Sequence, residues 1–455
     1  MSRYGSLADP TATLLLSGVR IVDPASGTDR EGDLAILDGR LVTASSLPPN
    51  AERIDGRGLV VAPGFCDLHV HLREPGMERA ETIESGARAA ARGGFTTICA
   101  MPNTDPSLDR PEVVRWVLDR TRDAACRVRV VAAATHGRGG KRLVDLAALA
   151  EEGIVGVSDD GAAIASELLA RDLVERLGAV GLPLIEHAEE ATLAAGSVMR
   201  AGPTATRLGL VGWLPGAEAS IVERDIALAE ETGGWVHFTH MSTAASLRAV
   251  RRAKERGVHV TCDVTPHHLA MTDAWVAGDR RFSWAEPGPP WVDPLLAYDG
   301  ACRVNPPLTS RDDALALLGG VADGTVDAIA TDHAPHPREH KSVEFAAAAP
   351  GMIGLETALS LGLAAVAAGR LELTRLVEAL STGPAALIRE ARWLTEGAVA
   401  DLVLFDPTAR WRVEAAELAS ASSNTPLLGM ELAGVVRLTI AEGRITYRNG
   451  LGAGA

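Results

Sequence analysis

Short apolar runs alternate with amphipathic stretches through most of the chain. Between about residues 60 and 340, runs that suit β-strands are followed by polar turns and then by stretches rich in Ala, Leu, Arg and Glu that suit helices. The strand-like runs are residues 64–71, 95–102, 127–135, 154–158, 182–187, 235–240, 258–264 and 326–331. Eight such runs predict a (β/α)8 TIM-type barrel. A doubly wound open sheet would also alternate, but polar clusters after most runs favour a ring of loops around one mouth.

The two flanks of this region have a different pattern. Residues 13–62 and 395–447 resemble short strands separated by glycine turns such as Asp38-Gly39. We expect both ends to fold together into one small β-sandwich domain, the alternative being two independent appendages. The predicted boundaries are residues 1–62 and 391–455 for the small domain and residues 63–390 for the barrel.

One segment, residues 273–299, interrupts the alternation. It contains a Pro-Gly-Pro-Pro turn at residues 287–290 and several aromatic side chains: Trp275, Phe282, Trp284 and Trp291. Loops of this length within a domain usually have a function of their own. We expect it to pack over the barrel or to form a subunit contact.

Composition narrows the classes of function. The 455 residues are 47% hydrophobic, yet no apolar run is long enough to cross a bilayer and the first residues do not resemble a signal peptide. A formal net charge of −15 disfavours nucleic acid as a partner, so an anionic substrate must be bound by local cations. Five scattered cysteines without CxxC spacing indicate reduced thiols. We therefore expect a cytoplasmic protein that acts on a small molecule.

Candidate metal ligands follow several of the strand-like runs. Side chains alternate along a strand, so His69 and His71 point to the same side. An isolated His-x-His pair is common by chance, and any one histidine could be a hydrogen-bonded structural residue. Later strand-like runs are also followed by histidines and aspartates, and four histidines plus two aspartates at one barrel mouth are hard to explain without a metal. Imidazole and carboxylate together suit zinc or a similar divalent ion.

Four motifs resemble the signatures of dihydroorotases, in particular the bacterial type I branch of the cyclic amidohydrolases. They are His-Val-His-Leu-Arg-Glu-Pro-Gly at residues 69–76, Met-Pro-Asn-Thr at 101–104, Val-Asn-Pro-Pro-Leu at 304–308 and Thr-Asp-His-Ala-Pro-His at 331–336. The resemblance covers nearly the whole chain. His-x-His with a distal aspartate marks only the superfamily, whereas the residues that follow His71 and the motif around Asn103 are more specific.

The resemblance implies a metal centre with one or two zinc ions. His69, His71 and Asp332 would hold one metal position, and His187 and His240 a second. Asp160 would stand where many relatives have a bridging carbamylated lysine, with Asp159 as the competing residue.

It also implies the reaction, which is the reversible cyclisation of N-carbamoyl-L-aspartate to (S)-dihydroorotate plus water in de novo pyrimidine (UMP) biosynthesis. Zinc-activated hydroxide would act with Asp332 as the general acid and base. The implied substrate-binding residues are His71, Arg73, Asn103, Asn305, His336, Pro350 and Gly351. Arg73 would bind the substrate carboxylate; the alternative for Arg73 is a structural salt bridge with Glu74 or Asp67.

Two other functions compete with this interpretation. Hydantoinases and allantoinases typically carry lysine where Asp160 stands and lack the sequence context of Arg73. A catalytically silent homologue that scaffolds aspartate transcarbamoylase would usually have lost metal ligands, and all six are present here. We expect a homo-oligomer, most simply a dimer, and leave association with aspartate transcarbamoylase open.

Overall fold

The computed structural model describes residues 3–286 and 293–451. Its strands, in chain order, are β1 (Leu14–Asp23), β2 (Thr28–Leu37), β3 (Arg40–Val42), β4 (Glu52–Asp55), β5 (Val60–Pro63), β6 (Phe65–Val70), β7 (Phe95–Ala100), β8 (Arg127–Ala132), β9 (Gly156–Val157), β10 (Leu184–Glu186), β11 (Met199–Arg200), β12 (Gly212–Trp213), β13 (Val236–Phe238), β14 (Val260–Val264), β15 (Ala328–Ile329), β16 (Leu402–Arg412), β17 (Glu431–Ala441) and β18 (Arg444–Arg448).

The α-helices of the same residues are α1 (Ile83–Gly93), α2 (Pro111–Arg120), α3 (Leu146–Glu151), α4 (Glu167–Val180), α5 (Ala191–Ala194), α6 (Pro203–Leu208), α7 (Gly216–Thr232), α8 (Ala244–Glu255), α9 (Pro266–Ala270), α10 (Arg311–Asp323), α11 (Arg338–Lys341), α12 (Ala358–Ala367), α13 (Leu373–Leu380) and α14 (Thr382–Leu387). Local sequence sets several of their ends. Helix α1, for example, begins at a capping box between Thr82 and Ser85 and ends at Gly94, whose φ of 90° suits glycine.

Eight parallel strands within the described residues form the barrel. Their order is β6, β7, β8, β9, β10, β13, β14 and β15, so each strand pairs with the next barrel strand along the chain. The first and last strands meet where Val70 bridges to His333, which makes this a barrel and not an open sheet. Asp67 helps to join these strands by accepting hydrogen bonds from the main chain and hydroxyl of Thr331.

Strands from both ends of the chain form one small sheet beside the barrel. Its order is β18, β17, β16, β5, β1, β2 and β3, with β4 also paired to β1. The central pair joins β5 to β16 in antiparallel register, with Pro63 opposite Leu402. Leu16 and Ile36 from the first half of this sheet and Leu404 from the second belong to one hydrophobic cluster. The ends are therefore not independent appendages, and the predicted fold class is confirmed, while the exact domain boundaries stay a prediction.

Helix α12 lies outside residues 60–340, the region in which the alternating pattern predicted helices. Seven of its ten residues are buried, because it packs between the barrel and β17 of the small sheet. A helix that is apolar on every side shows no periodic pattern in the sequence.

The described residues of the aromatic segment, 273–286 and 293–299, pack against the barrel domain. Trp275 is fully buried and contacts Phe282, with ring centroids 6.0 Å apart. The same hydrophobic cluster includes Met199 of β11 and Met352, and the Tyr298 hydroxyl donates to the carbonyl of Leu208. Trp291 and the predicted turn at residues 287–290 lie outside the described residues.

No helix among residues 3–286 and 293–451 is both long and apolar enough to cross a membrane.

Candidate metal centre

Six side chains of the types that bind divalent metals converge at the carboxyl end of the barrel. They come from the ends of five strands, and each is no more than 6% exposed. His69 and His71 belong to β6 and its end, Asp160 follows β9, His187 follows β10, His240 follows β13 and Asp332 follows β15. The structure thus brings together all six ligands predicted from the sequence.

Asp160 occupies the middle of this cluster. Its Oδ1 lies 3.4 Å from Nε2 of His69, 3.6 Å from Nε2 of His240 and 3.7 Å from Nδ1 of His187. Its Oδ2 lies 3.7 Å from Nε2 of His71. Two groups of possible ligands, one with His69 and His71 and one with His187 and His240, therefore share Asp160.

Asp332 contacts the first of these groups. Its Oδ1 lies 3.1 Å from Nε2 of His71 and 3.6 Å from Nε2 of His69. Asp332 has a φ of 47°, Arg73 a φ of 60° and His240 a φ of 38°, all in the left-handed region that non-glycine residues rarely adopt. Such backbone strain collects at functional sites, where the surrounding structure holds it.

The spacing of these atoms fits a divalent ion. Tetrahedral ligands at about 2.0–2.2 Å from zinc lie roughly 3.3–3.6 Å from one another. The nitrogen–oxygen distances given above fall between 3.1 and 3.7 Å, and Nδ1 of His187 lies 3.0 Å from Nε2 of His240. Nε2 of His69 is buried and has no hydrogen-bond partner among the described residues. A metal ion would satisfy this nitrogen.

Thr239 fixes the orientation of His69. The Thr239 hydroxyl donates to Oδ2 of Asp263 at 3.1 Å and lies 2.7 Å from Nδ1 of His69. Burial acts to raise the pKa of Asp263, but its hydrogen bonds with His237 and the N–H of His240, together with nearby positive charge, outweigh burial and lower that pKa, so Asp263 is an acceptor. The hydroxyl must then accept from Nδ1–H of His69, which leaves the lone pair on Nε2 to face the cluster.

Replacing Thr239 with valine should weaken metal binding by about 10- to 100-fold, because Nδ1 of His69 loses the partner that orients the ring. Chelator competition on the purified protein measures this affinity. Thr261→Val is the matched control, since Thr261 contacts Nδ1 of His237 at 2.8 Å, outside the cluster. Equal affinities for Thr239→Val and wild type would contradict the role of Thr239.

Asn103 orients a second pair of residues. Its Oδ1 lies 2.7 Å from Nδ1 of His71, and its Nδ2 donates to Oδ2 of Asp160 at 3.2 Å. Nδ1–H of His71 is therefore the donor, and its Nε2 is free to bind a metal. Asn305 lies on the other side, with Nδ2 3.3 Å from Nε2 of His187. Both asparagines thus contact candidate ligands, while their contact with substrate stays a prediction.

The electrostatics of the cluster favour a bound cation. Burial lowers the pKa of His69, but Asp160 and Asp332 outweigh burial and raise it to about 9. Burial likewise acts to raise the pKa of Asp160, yet the neighbouring histidines, His69 foremost, hold it well below its usual range. Two buried carboxylates thus stabilise positive charge between them, which a divalent ion supplies.

Asp159 faces away from the cluster. Its Oδ1 accepts from the main-chain N–H groups of Ala134 and Thr135 at 3.0 and 2.9 Å, and its Oδ2 accepts from the Thr135 hydroxyl. These bonds tie the loop after β8 to the loop after β9. Of the two competing aspartates, only Asp160 has its carboxylate among the histidines.

Arg73 lies beside the cluster as a cation without a carboxylate partner. Its Nε donates to the carbonyl of Pro335 at 3.2 Å. Within the described residues no carboxylate comes within 4.0 Å of its guanidinium. Glu74 accepts from the N–H of Ile83, and Asp67 is occupied by Thr331, so the alternative salt bridge is absent. Burial lowers the pKa of Arg73 to about 10, and the group stays charged at neutral pH.

The remaining predicted substrate residues lie next to Arg73. Nε2 of His336 is 3.5 Å from Nη2 of Arg73 and 2.8 Å from the carbonyl of Pro350. Gly351 follows with a φ of 131°, and a Cβ there would lie 2.7 Å from Cβ of Ala334 and 3.0 Å from Nε2 of His336. Only glycine lets the main chain approach this closely.

Three buried acidic residues that support the site were missed by the sequence analysis. Asp263 accepts from the N–H of His240 at 2.6 Å, and Glu218 accepts from the main chain and hydroxyls of Ser242 and Thr243. Glu81 lies 3.1 Å from Nε2 of His333, the neighbour of Asp332. An aspartate inside the apolar β14 run was a usable signal for Asp263, whereas Glu218 and Glu81 look like ordinary helix-surface residues in the sequence.

The family model and two related sequences that match this chain carry the same name, dihydroorotase. A family model described as Dihydro-orotase-like matches residues 58–246. The chain is 43% identical to a dihydroorotase of Pelobacter propionicus over 440 residues, or 96% of this chain and 99% of that protein. It is 46% identical to a dihydroorotase of Anaeromyxobacter dehalogenans (strain 2CP-C) over 442 residues, or 96% of this chain and 98% of that protein.

Comparison with solved structures supports the architecture. The L-hydantoinase (dihydropyrimidinase) of Arthrobacter aurescens matches with a TM-score of 0.81 and 23% identity, covering 96% of this chain and 97% of that one. The dihydropyrimidinase of Brevibacillus agri matches with a TM-score of 0.79 and 20% identity, covering 96% of each chain. At these identities the likeness shows the fold alone.

Proposed function

Because the chain belongs to the dihydroorotase family, we propose that it catalyses the reversible cyclisation of N-carbamoyl-L-aspartate to (S)-dihydroorotate and water. The observation that carries this proposal is the cluster of four histidines and two aspartates around Asp160, with the unpaired guanidinium of Arg73 beside it. Together they offer a place for a divalent cation and a place for a substrate carboxylate.

The proposed cofactor is zinc, with one or two ions per subunit. His69, His71 and Asp332 would hold the first ion, His187 and His240 the second, and Asp160 would contact both. Imidazole and carboxylate ligands at these spacings suit zinc. When bound, such an ion would lower the pKa of a coordinated water to near neutral pH and would polarise a carbonyl.

Asp332 is the proposed general acid and base. In hydrolysis the attacking water must lose a proton as its oxygen bonds to the amide carbon, and Asp332 would accept it and pass it to the departing ring nitrogen. In cyclisation the ureido nitrogen would attack the carboxyl carbon and lose its proton as the new bond forms. That proton and the one carried by protonated Asp332 would both go to the carboxyl oxygen, which leaves as water, and Asp332 would end as the carboxylate. Its carboxylate oxygen 3.1 Å from His71 supports this placement.

Arg73 and its neighbours are the proposed binding site for the carboxylate that does not react. A planar guanidinium binds a carboxylate through two parallel hydrogen bonds. His336, Asn103 and Asn305 would add polar contacts, as would His71 and the main chain at Pro350 and Gly351. The buried position of Arg73 supports the proposal, since water competes little for its donors.

A hydantoinase-like or allantoinase-like activity has less support. The relatives that match over nearly the full chain at more than 40% identity are named dihydroorotase, whereas the hydantoinase structures share only the fold. The hypothesis of a catalytically silent scaffold for aspartate transcarbamoylase also has less support, because every candidate ligand is present and buried.

A paired metal analysis and assay tests the proposal. The purified protein should contain zinc and should interconvert N-carbamoyl-L-aspartate and dihydroorotate, with little turnover of hydantoin or allantoin. Chelation should abolish the activity, and added zinc should restore it. Preference for hydantoin or allantoin would overturn the assignment, and so would full activity in metal-free protein.

Further proposals concern the oligomeric state, the cellular location and the protein partners of the enzyme. We propose a homo-oligomer, most simply a dimer, in the cytoplasm. Five buried cysteines without disulfides are compatible with a reducing compartment. Association with aspartate transcarbamoylase, and the expected domain boundaries at residues 62/63 and 390/391, are proposals of the same kind. Size measurement in solution, with and without the transcarbamoylase, tests the assembly.

A further inference from the structure

His267 lies at the carboxyl end of the barrel, in the first turn of α9 directly after β14. Strand β14 pairs with β13 on one side and with β15 on the other. These two neighbours lead to His240 and Asp332. The topology therefore places His267 between two residues of the metal centre, although none of the proposed roles includes it.

The imidazole of His267 has an unsatisfied nitrogen. The residue is 2% exposed, and its Nε2 is buried with no hydrogen-bond partner among residues 3–286 and 293–451. The neighbouring His268 is the opposite case, since its Nδ1 lies 2.8 Å from the Thr265 hydroxyl and its Nε2 lies 3.0 Å from the carbonyl of Pro306. One of two adjacent buried histidines is thus fully bonded, and the other is not.

An unsatisfied buried polar group costs stability and needs an explanation. Packing alone would favour an apolar side chain of similar size at this position. The strands on both sides of β14 lead to His240 and Asp332, so the His267 ring lies in the surroundings of the metal centre. Burial, with a further effect of His268, holds the pKa of His267 well below its usual range, and the ring is neutral. A neutral imidazole has one N–H to donate and one lone pair to accept with.

We propose that His267 is a further substrate-contacting residue, whose unpaired ring nitrogen hydrogen-bonds to a carboxyl or ureido group of the bound substrate beside Asp332. This inference rests on the proposed function. The substrate would supply the partner that the protein does not, so the cost of the unpaired nitrogen is relieved only in the complex. A residue of this kind stabilises the bound state and not the fold.

Replacing His267 with leucine tests the inference, because leucine fills similar space without a polar atom. We expect a Tm equal to or above that of the wild type and unchanged zinc content, with kcat for cyclisation reduced at least about tenfold. His267→Gln, which keeps an N–H donor, should recover part of kcat. His268→Leu is the matched control and should lower Tm, because two hydrogen bonds are lost.

The outcomes separate the two proposals. A wild-type protein inactive toward N-carbamoyl-L-aspartate would remove the proposed function itself. With an active wild type, normal kcat and KM in His267→Leu would overturn the role of His267, and loss of zinc would instead make it a metal-holding residue and also overturn the role. If His267→Leu does not fold, His267→Ala is assayed with added imidazole. A deficit in kcat that imidazole reverses supports the proposal, and one that it leaves unchanged overturns it.

Discussion

Replacing Asp332 with asparagine is expected to reduce kcat by about two to four orders of magnitude in both directions of the reaction. Asparagine keeps the size of the side chain but can neither accept nor return a proton at neutral pH. Asp332 lies 3.1 Å from Nε2 of His71 and carries a strained backbone, so its carboxylate is held in one place. Steady-state assays with N-carbamoyl-L-aspartate and with dihydroorotate measure the effect.

Metal analysis of the same variant separates chemistry from ligation. His69, His71 and Asp160 form a group of possible ligands that does not require Asp332, so most of the metal should remain bound. If Asp332 acts as proposed, cyclisation by the wild type needs its protonated form and should slow as pH rises, whereas hydrolysis needs its carboxylate and should speed up. Retained turnover in Asp332→Asn would exclude it as the proton carrier, and identical pH profiles in the two directions would count against the same role.

Replacing Arg73 with lysine should raise KM for N-carbamoyl-L-aspartate by about 10- to 100-fold, because an ammonium group cannot make two parallel hydrogen bonds to a carboxylate. The metal content should not change, since in the described part of the chain Arg73 donates to the carbonyl of Pro335 and approaches His336, and neither is a proposed metal ligand. Steady-state kinetics and metal analysis measure both quantities.

A matched control distinguishes recognition from packing. Arg375 also donates to main-chain carbonyls, those of Val321 and Val326, but it does so between α10 and α13, away from the metal centre. Arg375→Lys should therefore leave KM unchanged. A normal KM in Arg73→Lys would show that this guanidinium does not bind the substrate.

The sequence allowed the barrel and the ligand set to be predicted because both depend on simple regularities. Strand alternation puts His69 and His71 on one side, and parallel strands bring their carboxyl ends to one mouth. The positions after apolar runs offered several acidic and histidine candidates, and the resemblance to dihydroorotases selected Asp160, His187, His240 and Asp332 among them. The structure brings these residues together within hydrogen-bonding or metal-bridging distances.

What the sequence did not reveal depends on contacts between distant segments. The bond from Thr239 to Asp263 and the unpaired nitrogen of His267 arise only when neighbouring strands are in register. The environment of α12 is similar, since its apolar surface is explained by β17, which follows much later in the chain. Local patterns describe the faces of one element, and they do not say which element will cover them.

The pairing of β5 with β16 affects how the protein emerges from the ribosome. Strand β5 leaves the exit tunnel early, yet its antiparallel partner is made only after the whole barrel. At about 5–20 residues per second, the edge of β5 that pairs with β16 stays without its partner for some tens of seconds during translation. Chaperones that shield nascent chains would have their main task here, and the small sheet would be the last part of the molecule to form.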